Sequence, residues 1–342
     1  MTMPKWLLKI IFFIVVLCTL VTLQGCSFSG NSNKKLPDGW LVIPHLSAVQ
    51  AIAVYGDTIW AGCEDGVYQI NRQSGAIVQK LKSNPPMTYV KALLVDKSGV
   101  LYIGHFNGLT RYDGANYQTL TTKDGLPDNR VNALLFDKLG RLWVGTWGGA
   151  AYLDNNRTWH VIKAANGLID NMVNVLFQDN RGGMWFGSYV APRGGVSYLR
   201  DDGTWQLFSV ANGLPHNDVT SIIQDDSGNV WVGTGFLYQG GAARFEFIEK
   251  SVVIQQVLTQ HDGLAGGKVR SEFEDKDGVM WFGSEYDGLA RWGNGKWRVL
   301  TEKDGLPHYE VMAMLQDADG SLWMGTQNGV VRLNYSAMQA LR

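Results

Sequence analysis

Val131-Asn132-Ala133-Leu134-Leu135-Phe136-Asp137-Lys138-Leu139-Gly140-Arg141-Leu142-Trp143-Val144-Gly145-Thr146 is the stretch that decides the fold. An apolar run of strand length meets a tight turn whose glycine suits positive φ, and a second short run carries Trp-x-Gly. Gly148-Gly149 turns the chain into a third run, Ala150 to Leu153. Trp159-His160-Val161-Ile162 makes a fourth, and Asn166-Gly167-Leu168 leads onward.

The aromatic-x-glycine signature recurs at Trp60, Tyr102, Trp143, Trp185, Trp231, Trp281 and Trp323, at spacings of 42, 41, 42, 46, 50 and 42 residues. The turn recurs as Asp96-Lys97-Ser98-Gly99, Asp179-Asn180-Arg181-Gly182, Asp225-Asp226-Ser227-Gly228, Asp275-Lys276-Asp277-Gly278 and Asp317-Ala318-Asp319-Gly320. Four short antiparallel strands at this period describe one propeller blade. No stretch after residue 25 has the three-to-four spacing of an amphipathic helix. The expectation is an all-β, seven-bladed β-propeller of four-stranded blades spanning residues 39–335, followed by a tail at 336–342.

The seventh unit supplies three strands and then ends. Gly39-Trp40-Leu41-Val42-Ile43 aligns with Lys296-Trp297-Arg298-Val299-Leu300 and Thr204-Trp205-Gln206-Leu207-Phe208. An open ring would leave two unpaired sheet edges. The segment around Trp40 is therefore expected to complete the last blade. Few charged residues (18%) and 41 glycines suit buried strands joined by tight turns.

The N-terminus reads as an address. Lys5 and Lys9 precede the apolar run Ile10 to Leu17, and Leu23-Gln24-Gly25-Cys26 closes it. A basic region, a short apolar region and a small-residue cleavage site define a secretory signal. The ending resembles the bacterial lipoprotein lipobox. That implies a signal peptide at 1–25, a lipid on Cys26 that ties the chain to a membrane, and a polar tether over 26–38. Ser27, in place of aspartate, points to the outer membrane. The alternative is an uncleaved anchor, although Trp6 to Leu23 is only 18 residues. Removing 1–25 shifts the formal net charge from −1 to −3, with no basic surplus to suggest nucleic acid. Cys63 is then the one cysteine left, read as a small packed residue with a nucleophile as the alternative.

Gly-Leu-Pro-Asp-Asn-Arg-Val (125–131), Gly-Leu-Pro-His-Asn-Asp-Val (213–219) and Gly-Leu-Pro-His-Tyr-Glu-Val (305–311) each lead through an apolar strand to a turn and Trp-x-Gly. This grammar resembles the two-component regulator propeller repeat. The resemblance implies ligand sensing at the cell envelope. The chain ends at Arg342 without a kinase or receiver domain, so the expectation is a propeller that does not itself transfer phosphate.

Binding is expected on the face carrying the loops between strands B and C and between strands D and A, because loops on a rigid scaffold carry function. The candidates are His105, Phe106, Trp147, Tyr189, Arg193, Tyr238, Arg270, Glu272, Glu285 and Tyr286. Aromatic rings around a concave mouth stack on sugar faces or pack on a protein anchor, or else cover blade edges. Glu272 stands where the other blades have Ile52, Leu93, Leu134, Leu176, Ile222 and Met314. It is either part of a polar site in or near the channel, or a carboxylate paired with Arg270 between blades or bridged by channel water. No zinc-ligand spacing, nucleophile elbow or phosphate loop occurs, so no catalytic residue, metal or cofactor is expected. Three functions remain open. The first is a propeller that binds a glycan, a peptide or an envelope protein. The second is a lyase acting on a polysaccharide or cyclic peptide, with His105, Glu285 or Glu272 as acid–base candidates. The third is a scaffold subunit of an outer-membrane assembly.

Overall fold

The computed structural model describes residues 36–341 except 155, 191 and 250. The expected signal peptide, the Cys26 lipidation site and most of the tether lie outside the described residues. Seven four-stranded antiparallel sheets form the seven blades. The inner strands A are Ala51–Tyr55, Ala92–Val95, Val131–Phe136, Val173–Gln178, Val219–Gln224, Val269–Glu274 and Val311–Gln316. The last blade takes its outer strand from the N-terminal side: Trp40–Ser47 pairs antiparallel with Asn328–Leu333, Trp40 opposite Leu333 and Ser47 opposite Asn328. Ring closure is as the sequence predicts.

The repeat signature is explained by three contacts. The turn aspartate accepts the indole N–H of the strand-B tryptophan: Trp143 to Asp137 and Trp185 to Asp179 at 2.8 Å, and Trp231, Trp281 and Trp323 to their aspartates at 2.9 Å. In the second blade Tyr102 reaches Asp96 at 3.4 Å instead. The glycine two residues on exists for the neighbouring blade. A methyl built on Gly62 would lie 2.6 Å from Val90, on Gly187 2.5 Å from Val219, and on Gly325 2.9 Å from Val49. Real side chains do not approach so closely, so the seams between blades demand glycine there.

The third contact explains the Trp40 alignment. Gly125 has φ of 106° and sits under the Trp159 ring, as Gly167 sits under Trp205 and Gly263 under Trp297. Trp40 covers Gly305 in the same way. Polar side chains of the inner strands also stitch blade to blade. Asn132 donates to the Val173 carbonyl, Asn174 to Val219, Thr220 to Val269 and Ser271 to Val311. Residues read as a tail include a short helix, Tyr335–Ala340. Its Ala337 and Met338 are buried against the seam of the last two blades.

Candidate ligand site at the channel mouth

A seam valine opens each inner strand or, in the first two blades, stands two residues before it, and the residue after that valine faces the channel. Gln50, Lys91, Asn132, Asn174, Thr220, Arg270 and Met312 thus form a ring of seven, one per blade, around a throat of about 90 Å³. Above it the B–C loops widen the channel into a cavity of about 200 Å³. Phe106, Trp147 and Tyr189 form its wall together with Met172, while Lys91, Asn132, Asn174 and Arg270 form its floor.

Four of the expected residues therefore converge: Phe106, Trp147, Tyr189 and Arg270. The rings are ordered by their neighbours. Phe106 stacks on Tyr89 at 4.9 Å and meets Trp147 edge-on at 5.8 Å. The Arg130 guanidinium lies 4.1 Å over Trp147, itself held to Asp128. Tyr189 receives a hydrogen bond from Lys268 at 3.0 Å.

The remaining expected residues lie elsewhere. Glu285 lines neither the mouth nor the throat but is a counter-ion beside them, in contact with Lys268 and 3.8 Å from Arg270. Burial works to raise its pKa, but Lys268 and Tyr286 hold the carboxyl below its ordinary value. The hydrogen bond to Glu285 in turn pushes the Tyr286 hydroxyl up to about 12. Tyr238 and Tyr286 pair at 5.0 Å on the rim, and Arg193 is exposed, 3.8 Å from Asp170.

His105 is fully enclosed in the second blade. Its Nε2 contacts the Thr110 hydroxyl at 2.8 Å, and its Nδ1 accepts the Asn107 amide at 3.2 Å. Burial pushes its pKa down to about 4. His105 lines neither the mouth nor the throat, so the His105–Glu285 pairing considered for a lyase is not assembled there.

Glu272 does not pair with Arg270, which instead reaches Glu310 at 3.3 Å. The Glu272 carboxyl sits in the seam against Gly233 and accepts one hydrogen bond, from Ser221 at 2.9 Å. Its Oε1 has no hydrogen-bond partner. Burial pushes its pKa up to about 8, with Ser221 pulling the other way. An acid whose pKa is raised on folding contributes stability that is complete below its unfolded value near 4.5 and is lost as pH rises through 8. Glu272→Gln is therefore expected to raise the melting temperature by roughly 2–5 °C at pH 8, and by much less at pH 5. An equal shift at both pH values would contradict this account.

Lys91, Asn132, Asn174, Lys268 and Glu310 are site residues that the sequence reading missed. For Lys91, Asn132 and Asn174 the signal was register, whereas Lys268 and Glu310 directly precede the seam valines Val269 and Val311. The residue after each seam valine varies from blade to blade, and the chemistry of the channel is written in that variation. The Cys63 thiol is buried, and burial pushes its pKa up, as suits a packed residue. His216 and His308 are turn formers, each accepting the backbone N–H two residues on, as Asp128 and Asp170 do. Among the described residues no three His, Cys, Asp or Glu side chains are grouped to hold a metal ion.

Comparison with solved structures places this architecture in known company. One neighbour is described as the extracellular domain of a hybrid two component system, BT3049, of B. thetaiotaomicron. It matches with a TM-score of 0.75 and 21% identity over 89% of this chain and 42% of that one. This chain thus spans well under half of that domain's length. The virginiamycin B lyase of Staphylococcus aureus matches with a TM-score of 0.67 and 12% identity, over 86% of this chain and 98% of the lyase. At such identities the likeness is one of fold. Comparison with curated proteins gives no sequence match. The two component regulator propeller model matches residues 125–148, 167–190, 213–236, 263–286 and 305–328. The third to seventh blades thus carry five repeats of the two component regulator propeller family.

Proposed function

We propose that this chain is a binding or sensing propeller of the bacterial cell envelope, held to a membrane through a lipid on Cys26, with its ligand seated in the channel mouth. The observation that carries the reading is the convergence of Phe106, Trp147 and Tyr189 over a polar floor in one cavity of about 200 Å³. Concave sites that combine apolar walls with a few placed polar groups are where ligands bind. Two further features support it. The repeats match those of two component regulators, the fold is shared with an extracellular domain of a hybrid two component system, and the lipobox-like Leu23-Gln24-Gly25-Cys26 would serve as an anchor. The chain enters the ring at Trp40, opposite Leu333, whereas the mouth-side B–C turn lies at the Ser47 end of the same strand. No helix of the described residues is long and apolar enough to cross a membrane.

A glycan and peptide array probed with the purified full chain tests this reading. Retention of a ligand by the wild type, and its loss in Trp147→Ala/Tyr189→Ala at unchanged melting temperature, is the expected result. Stacking contacts of this kind contribute about 1 kcal/mol each, so the double variant should bind roughly tenfold or more weakly. Retention by both proteins alike would move the site away from the mouth. One observation favours a protein partner as a second reading: Phe236, Leu237 and Tyr238 stand exposed at the tip of an extended hairpin, Tyr238 at 72%. An empty array with a co-purifying protein lost in Tyr238→Ala would support that reading.

A further inference from the structure

The charges around the mouth are distributed unevenly. Lys268 is spent on Glu285, and Arg270 is shared between Glu310 and Glu285. Yet none of these carboxylates lines the mouth or the throat, while Lys91 and Arg270 line both. Lys91 Nζ is held by the Gln50 side-chain oxygen, and no carboxylate among the described residues comes within salt-bridge distance of it. The Arg270 Nε faces Glu310 at 3.3 Å and Glu285 at 3.8 Å without a well-aligned hydrogen bond to either. The floor of the cavity is thus cationic and amide-lined, with its compensating acids set back in the walls. The cost of this arrangement falls on Lys91, whose pKa is pushed down to about 8 by burial and by the nearby Arg270.

On the reading that the mouth holds the ligand, we propose that it selects a carboxylate-bearing sugar, with the carboxylate on Lys91 and Arg270 and the sugar ring among Phe106, Trp147 and Tyr189. A carboxylate brought to this floor would supply the counter-charge that Lys91 lacks and a further acceptor for the Arg270 guanidinium, and charge-assisted hydrogen bonds in an enclosed site are the strong ones. The Asn132 and Asn174 amides beside them are suited to hydroxyl groups, since each retains donor and acceptor capacity beyond its bond to the neighbouring blade. A cavity of about 200 Å³ above a throat of about 90 Å³ suits a single ring with its charged end downward.

Titration calorimetry of the full chain with digalacturonate, and with its neutral counterpart digalactose, tests this. Tighter binding of the acid by roughly tenfold or more is expected, with the preference shrinking as salt is added. Lys91→Gln should erase the preference, weakening the acid by roughly tenfold more than it weakens the neutral disaccharide. Arg270→Gln should weaken the acid likewise, and Arg270→Lys should restore part of it, which separates recognition from loss of fold. Equal binding of the two disaccharides would overturn the acidic assignment and leave the glycan reading standing. Failure of both sugars to bind, with a short acidic peptide bound through Lys91, would overturn the sugar assignment in favour of a peptide carboxylate. Binding of the acid undiminished in Lys91→Gln would overturn the assigned site.

Discussion

Deleting the first strand, Trp40–Ser47, is expected to abolish the stable fold. Ile43 and Leu46 are buried in the core, and Trp40 and Val42 pack against the apolar cluster formed with the sixth blade. Each buried apolar side chain of this size contributes roughly 1.5–3 kcal/mol. The strand also satisfies the outward edge of Asn328–Leu333. The total lost is about 5 kcal/mol or more, comparable with the whole stability of an ordinary domain. The exposed edge would also be a template for aggregation. Thermal unfolding followed by circular dichroism should show no cooperative transition, or a melting temperature depressed by tens of degrees. An unchanged melting temperature would mean that the ring does not depend on its latch.

Asp179→Ala should be the most damaging single substitution in the repeat grammar. Asp179 is fully buried and accepts three hydrogen bonds, from the Arg181 and Gly183 amides at 2.9 Å and from the Trp185 indole at 2.8 Å. Trp185 and Gly183 are themselves buried, so at least two donors would be left without partners. Buried unsatisfied groups cost about 1–3 kcal/mol each, which gives a loss of about 3–5 kcal/mol. Asp96→Ala in the second blade should cost less than half as much, because its aromatic partner is the partly exposed Tyr102 hydroxyl at 3.4 Å. Urea unfolding measures both. Equal losses would show that the tryptophan pin is not what holds the turn.

The fold was legible because its determinants are local and repeated. A strand-B aromatic followed two residues on by glycine recurs once per sheet, and in the third to seventh blades a turn aspartate, a glycine at positive φ and a tryptophan recur together. Even the closing strand could be read, since Trp40 sits in the same frame as Trp297. The site was legible only where it depended on loop composition. Phe106, Trp147 and Tyr189 stand out as aromatics in B–C loops. Lys91 and Asn174 look like ordinary polar residues in short strands until seven strands are set side by side around an axis. His105 shows the opposite failure. A loop-adjacent histidine suggests chemistry, but it closes strand B, and its ring turns inward to Thr110. Glu272 was recognisable as an anomaly, while its partner was not, because Ser221 comes from the preceding blade, 51 residues away.

The central claim is that the ligand enters at the mouth formed by the B–C loops. Hydrogen–deuterium exchange of the full chain, with and without a ligand recovered from the array, tests it most directly. Protection should appear at residues 105–107, 146–148 and 189–194 and at the start of the inner strands around Lys91, Asn132 and Asn174. The A–B turns on the opposite face, such as 137–140 and 225–228, should exchange as before. Protection confined to those turns, or to the outer rim of the blades, would contradict the account.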